Sequence, residues 1–549
     1  MTKRYFLMVA LLAATSIAKA QDTYLNDRLT ATDDVNGSAR YVGMGGAMGA
    51  LGADLSVISS NPAGMALYRK NDIGLTFGGV IPNKANGWNR NDGRTYDDKL
   101  SKASFDQIGI VWSLNTGGQK LKYANFGFNY QKKANYNMGF YADNANLNGL
   151  SQMDLVSELA QSGYDTNYNL AGKAIDNEYL SQDDIGYYNP YRGEYSFYTR
   201  HQWGSLQAFD LNFSFNIKDR FYTGMTLGID NVDYKSWSGY EECNVDYDNN
   251  YGDYTLYNDR VIDGVGVNVK FGFIVRPIDE SPLRLGLAVE TPTWYRMKSS
   301  TLFDLTDHIN GTRTPTGPDT YLEYSVRTPW RVRLSAGSTV DKYLAWGVEY
   351  EFANTAKTSM GYPDYPDDGY HSTFASTRDK AMNQLTEDVL RAQHTIKAGI
   401  EVKPIDALAL RVGYNFVSSR YKDNPTFDQF SLDSKAMDYS TSTDYMTLGA
   451  ANIVTFGVGY QYKKFYANMA YKYRVQNAKF YAFDTNFTEK YNSDGSYTQF
   501  FVDHAPEELG GNATGYDVLY GPNDEFLTIT PTKVDLNRHQ LMFSVGLKF

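Results

Sequence analysis

Residues able to do chemistry are present, but their spacing argues against an enzyme. Six histidines (His201, His308, His371, His394, His504 and His539) stand singly, without the paired spacing of metal ligands. No Ser/His/Asp constellation accompanies them, so a hydrolase is disfavoured. Cys243 is the only cysteine, which rules out an internal disulfide framework. A glycine cluster invites comparison with a dinucleotide loop. Yet Gly43-Met44-Gly45-Gly46-Ala47-Met48 puts methionine where the third glycine must fall, and no strand pattern precedes it. The expectation is a protein with no catalytic residues, no cofactor and no metal.

The elements that carry these residues point elsewhere. Lys3 and Arg4 precede an apolar run over 6–14, and Ala18-Lys19-Ala20 fits a signal-peptidase site, so cleavage is expected between Ala20 and Gln21. The net charge of −11 argues against a nucleic-acid partner. Mean hydropathy is −0.48, and beyond the signal no apolar run is long enough for a spanning helix. Yet the chain holds 46 Tyr, 29 Phe and 7 Trp. A transmembrane β-barrel reconciles the two, because alternating strands keep hydropathy low while aromatic girdles mark both interfaces.

Period-two segments recur along the whole chain. In residues 208–217, Phe209, Leu211, Phe213, Phe215 and Ile217 fall on one face, and Asp210, Asn212, Ser214 and Asn216 on the other. Fourteen such strands are expected, near 72–80, 104–114, 122–132, 205–217, 220–234, 261–276, 282–292, 323–340, 342–354, 394–404, 407–418, 452–463, 465–477 and 538–549. Short and long connections alternate strictly, as periplasmic turns and outer loops do in outer-membrane barrels. Helices are expected in two of the long loops, over 150–163 and 377–393. The sheet must close, because each unpaired backbone group in hydrocarbon costs several kcal/mol.

The same phasing turns the strand charges inward, among them Lys270, Arg284, Lys397, Glu401 and Arg411. A slip of one residue would turn them out to lipid. It also sets Arg333 opposite Glu349 or Glu351, with Arg331 nearby, as a cross-strand ion ladder in the lumen.

One segment is not strand-like. SARYVGMGGAMGALGADLSVISSNPAGMALYRK, residues 38–70, is rich in Gly and Ala and contains an Asn-Pro-Ala-Gly turn. A fourteen-stranded lumen would leak unless obstructed, and a small-residue segment that packs closely suits a plug.

Residues 38–66 resemble the N-terminal hatch signature of the long-chain fatty-acid transporter family (FadL/TodX type). Residues 324–340, 396–416, 454–473 and the terminal LMFSVGLKF add matches in family order, whereas the loops at 133–204, 355–393 and 478–537 match nothing there. The resemblance implies an all-β, 14-stranded antiparallel barrel with the plug inside its lumen. Its parts would be a signal peptide (1–20), a hatch (21–70) and the barrel (71–549). It implies Gly43, Gly45, Gly46, Asn61, Pro62, Ala63 and Gly64 as hatch elements. Gly127, inside the third strand, is a candidate wall kink. The implied activity is passive uptake of a hydrophobic small-molecule ligand across the outer membrane of a Gram-negative bacterium, with lateral release through the wall. Outer-membrane lipids and the barrel assembly machinery are the other expected partners. A structural or adhesive barrel, or haemin/porphyrin uptake, are the alternatives.

Overall fold

Alternation along each strand becomes two faces of one sheet. Asp210, Asn212, Ser214 and Asn216 are fully buried, whereas Phe209, Leu211, Phe213, Phe215 and Ile217 between them are exposed. The computed structural model describes residues 19–82, 102–147, 149–161, 165–182, 186–245, 251–307, 320–363, 376–423, 434–483 and 529–549. The apolar core of the expected signal peptide lies outside the described residues, as do His308, His371 and His504.

The sheet has fourteen principal antiparallel strands among the described residues. They are β1 (Asp72–Pro82), β2 (Lys102–Asn115), β3 (Leu121–Asn135, resuming over Met138–Asn144), β4 (Arg192–Ile217), β5 (Phe221–Val245) and β6 (Tyr254–Val275). Next come β7 (Arg284–Glu290 and Trp294–Asp307), β8 (Thr320–Arg327 and Arg331–Val340) and β9 (Leu344–Asn354, resuming over Ser359–Pro363). Then follow β10 (Ala392–Ile405), β11 (Leu408–Val417), β12 (Tyr445–Tyr462), β13 (Phe465–Tyr481) and β14 (Arg538–Lys548, preceded by Thr532–Asp535). Each pairs with the next, and β1 pairs with β14 from Asp72↔Lys548 to Pro82↔Arg538. The ring is closed. Lys218 and Asp219, both with φ near +55°, stand in the three-residue turn (218–220) between β4 and β5.

Three departures from the expected strands have physical causes. First, β4, β5 and β6 run well past the ends expected for them. The upper halves of β4 and β5 lose simple alternation, because both faces become buried there, whereas β6 alternates from Leu256 onward. Second, β7 and β8 are each interrupted, at Thr291-Pro292-Thr293 and Thr328-Pro329-Trp330. The register on either side sets Pro292 across from Pro329, and neither can donate a ladder bond. Threonines stitch the break: Thr328 Oγ1 accepts from the Thr293 N–H at 2.8 Å and Thr291 Oγ1 from the Val269 N–H at 3.0 Å. Third, the loop helices are shorter than expected, Gln152–Gln161 and Lys380–Val389.

Exposed Leu, Ile, Val, Phe and Tyr cover the outer wall, which makes this a surface for lipid. Inside, charges are paired: Lys270–Asp210 and Lys133–Asp230 at 2.8 Å, Arg411–Glu401 at 2.6 Å. Such pairs add little net stability once desolvation is counted, but they leave few interior charges uncompensated.

Replacing Phe213 in the outer belt by Arg should destabilise the barrel by about 2–4 kcal/mol, read as a lower urea midpoint in phospholipid vesicles. An unchanged midpoint would show that this face does not meet lipid.

Candidate functional site

The small residues of 38–68 let backbone approach backbone. Helix α1 (Lys19–Thr30) comes first, then a short helix over Ala39–Gly43 and two 3₁₀ turns, Leu55–Ser59 and Pro62–Leu67. Ser38 caps the helix by accepting from the Tyr41 N–H. Gly45 and Gly46 follow with φ of +62° and +73°, a conformation that glycine adopts without strain. Asn61 caps the second 3₁₀ turn, its Oδ1 accepting from Ala63 N–H at 3.1 Å, while its Nδ2 donates to the Gly49 carbonyl at 2.9 Å. Gly64 packs on Val57, whose Cγ1 would stand 2.4 Å from an added Cβ.

Inward-facing side chains of the strands bind this segment's carbonyls. Thr455 of β12 donates to Gly43, Asn212 of β4 to Pro62, Thr226 of β5 to Ile58, and Asn125 of β3 to Met65 and Tyr68. Between those side chains lie strand glycines where the chains nearly touch. A Cβ at Gly399 would stand 2.1 Å from Met44 O, at Gly347 2.1 Å from Ala47 O, at Gly413 2.2 Å from Gly45 N, and at Gly224 2.5 Å from Pro62 O. This glycine belt is a feature the strand reading passed over. Its signal was in the sequence, as a glycine in inward phase in AGI, WGV and RVG.

Arg333 lies directly across from Glu351, with Nε–Oε2 at 2.8 Å, and Arg331 reaches the same carboxylate at 3.2 Å. Glu349 sits across from Ser335 and pairs with Lys397 at 2.8 Å instead. Arg333 also binds Glu290 at 2.9 Å.

Above the segment, Asp33 and Asp34 enter a cluster of cations supplied by the strands and loops. Asp33 pairs with Arg420 at 2.9 Å and Arg474 at 3.1 Å. Asp34 pairs with Lys472 at 2.7 Å and with Arg538. Burial alone would raise both carboxyls. The guanidiniums of Arg474 and Arg420 outweigh it at Asp33, and Lys472 and Arg538 do so at Asp34, holding both below the ordinary range. Beyond them α1 is anchored by Asp27, which binds Arg420 at 3.1 Å and the Tyr421 hydroxyl at 2.8 Å, and by Tyr24, stacked on Tyr421 and Tyr445.

Beside α1 lies a cavity of about 130 Å³, walled by Leu25, Leu29, Tyr136, Met138, Tyr234 and Leu448, with Asp34, Arg474 and Arg538 at its polar edge. The wall is discontinuous here. The β2–β3 ladder ends at Gln107↔Gln131 among the described residues, and Asp106 is a bulge on β2. β3 shifts register against β4 between Lys132 and Ala134 and pauses at Tyr136-Asn137. Gly127, where a kink was expected, stands in unbroken register with Val111 and Asn212. Its inner side admits Met65, whose Cε would lie 3.0 Å from a Cβ. The irregularity thus lies further along β3, in Lys132–Asn137.

Asn36, a residue not singled out from sequence, holds that split. Its Nδ2 donates to the Lys132 carbonyl at 2.7 Å, its own carbonyl accepts from Gln131 Nε2 at 2.7 Å, and its Oδ1 accepts from Gln540 of β14 at 3.2 Å. Arg538 donates to the Asn135 carbonyl at 2.8 Å. The freed edge of β3 is therefore bonded by the N-terminal segment and by β14 where β2 has left it.

No protein-family model matches the sequence, and no curated protein matches it. Among solved structures, the chain is similar to a Pseudomonas aeruginosa FadL homologue, at 13% identity and a TM-score of 0.47, over 94% of this chain and 98% of that one. It is also similar to the P. putida toluene transporter TodX, at 11% identity and a TM-score of 0.46, over 94% and 99% of the two chains. The Ralstonia pickettii toluene transporter TbuX matches at 11% identity and 0.44, with the same coverage.

Replacing Asp33 and Asp34 by Asn should leave Lys472, Arg474 and Arg538 without a carboxylate and Arg420 with Asp27 alone, at a cost of about 3–5 kcal/mol per broken pair, and amide exchange over 19–37 should rise. Because both carboxyls are held low in the folded state, their contribution is complete above the unfolded value of ~3.9. It is lost as pH falls through the folded values. Exchange in the native chain, corrected for its intrinsic pH dependence, should stay level from neutrality to about pH 5 and climb below about pH 4, and the climb should vanish in the double variant. A variant indistinguishable from native at neutral pH would remove this pair as the anchor.

Proposed function

We propose that the protein is an outer-membrane channel for passive uptake of hydrophobic small molecules, fatty-acid-like or aromatic hydrocarbons. In this reading residues 21–70 are a plug in the lumen, and the ligand leaves sideways through the wall. The observation that carries the proposal is the apolar cavity set against the split between β2 and β3. A greasy molecule resting on Leu25, Leu29 and Met138 would meet charge below it, at Asp34, Arg474 and Arg538. Beneath that lie the closely packed backbones of 43–64 and the strand glycines. The axial route is polar and narrow, whereas the lateral one leads to hydrocarbon. Transfer of an apolar solute to lipid is favourable by roughly 25 cal/mol per Å², and that gradient needs no energy source in the protein.

The chemistry of the gate follows from Asn36. Opening the split means breaking its bonds to Lys132 and Gln131, and these belong to the same segment that occupies the path. A shift of the segment would therefore loosen the wall. The resemblance of residues 38–66 to the hatch of FadL/TodX-type transporters points the same way. Gly43, Gly45, Gly46, Asn61, Pro62, Ala63 and Gly64 are proposed as its hinge and packing elements.

Leu25→Trp should fill the cavity and lower flux of toluene or palmitate into proteoliposomes at least tenfold, with the thermal midpoint unchanged. Asn36→Ala should raise the leak of the same probes by freeing the β3 edge. Native-like flux in Leu25→Trp would remove this cavity from the path, and no flux in the native chain, with no apolar molecule bound to the purified chain, would favour an adhesive barrel instead.

A further inference from the structure

The chain is acidic overall, at −11, but its charge is not evenly distributed. The short-turn end of the barrel, with the strand termini beside it (69–72, 116–122, 218–220, 276–283, 341–343, 403–407, 463–464 and 548–549), holds twelve Lys and Arg against six Asp and Glu. Everything else is correspondingly more acidic. These turns lie on the periplasmic side if short turns mark that side, as in other outer-membrane barrels.

Some of this charge is neutralised locally, by Arg69–Asp219, Arg220–Asp279 and Lys403–Glu401. Lys120, Lys218, Lys342, Lys463 and Lys464 are exposed and form no ion pair among the described residues. They come from the turns β2–β3, β4–β5, β8–β9 and β12–β13, so they are distributed around the ring. Three of these turns also place an exposed apolar side chain next to a lysine, Ile217 beside Lys218, Tyr343 beside Lys342 and Tyr462 beside Lys463. Lys463 Nζ lies 5.2 Å from the Tyr462 ring centre. Aromatic and aliphatic residues at the belt's edge mark the boundary between hydrocarbon and headgroup. Ammonium groups one or two residues beyond them stand at headgroup depth.

We infer that this cationic ring binds the phosphodiester headgroups of anionic phospholipids in the periplasmic leaflet. A soluble acidic protein would need one concentrated patch, whereas these lysines are spread around the circumference. Phosphate oxygens also match what ammonium groups offer, a point charge with three rotatable donors. The attraction is of the kind that draws basic residues to anionic lipid surfaces and fades within a Debye length. It depends on the barrel and its lipid-facing wall, and it holds whether or not the protein transports anything.

The test reconstitutes the full chain in phosphatidylcholine vesicles with brominated phosphatidylglycerol or brominated phosphatidylcholine as quencher. Trp112, exposed on β2 near this end, is a nearby reporter. At low salt the anionic lipid should be preferred about two- to fourfold, and the preference should fall towards one at 0.5 M NaCl. Changing the five lysines to Gln should abolish it, and changing them to Arg should keep it. Trp112→Phe should lower the selective quenching, the remainder coming from Trp346 on β9, which lies at the same end. A preference that survives in the Gln variant, or none in the native chain, overturns the inference. So does unselective lipid quenching together with salt-sensitive binding of a polyglutamate peptide, which would assign the ring to an acidic protein.

Discussion

Every backbone N–H and C=O in the hydrocarbon belt must be bonded within the chain, because lipid offers no replacement for water. This constraint orders the molecule. It requires the β1–β14 seam to close residue by residue, and it makes each gap in the ladder a local problem needing a local donor or acceptor. The proline break in β7 and β8 is answered by threonine hydroxyls. The β2–β3 split is answered by a side chain from outside the wall, Asn36. The difference is consequential. Threonines of the wall travel with the wall, whereas Asn36 belongs to a segment that is not part of it, so at that split wall integrity depends on where another element sits.

The interior obeys a related accounting for charge. Burying an ion is costly unless a counter-ion lies at hydrogen-bond distance, and the strands alone do not balance. Lys472, Arg474, Arg538 and the loop residue Arg420 converge where Asp33 and Asp34 supply the carboxylates. The strands below are closer to self-sufficient, with Arg333 shared between Glu290 and Glu351. These strand and loop cations thus leave an electrostatic deficit that Asp33 and Asp34 fill. The N-terminal segment is tied to the strands by these ion pairs.

Most of the fold could be read from the chain, because a barrel strand must alternate over its whole membrane passage. AFDLNFSFNI reports both faces at once, and the fourteen strands and six short turns follow. The upper halves of β4 and β5 were illegible for the converse reason: both of their faces are covered, and Thr199, Arg200 and His201 are all buried in sequence. The pairing of Arg333 was legible to the level of two candidates. Parity restricts the partner to every second residue, but only the turn geometry at Asp341 selects Glu351 over Glu349. Asp33, Asp34 and Asn36 gave no local signal, since an Asp-Asp pair and an Asn-Gly step are ordinary surface sequence until their distant partners are known.

The wall glycines show how one residue type can mislead and inform within the same chain. In β3, Gly127 suggested a kink because glycine weakens a strand, yet its ladder is regular and its absent side chain makes room for Met65. The same argument applies to Gly224, Gly347, Gly399 and Gly413. At these positions a strand glycine marks where two backbones meet, and it leaves the strand's own pairing intact. The true irregularity of β3 falls on Lys132–Asn137, where β2 has parted from it while still pairing with β1. Wall weakness in this barrel is set by which strand supplies the partner bonds, and small residues mark contact with the N-terminal segment.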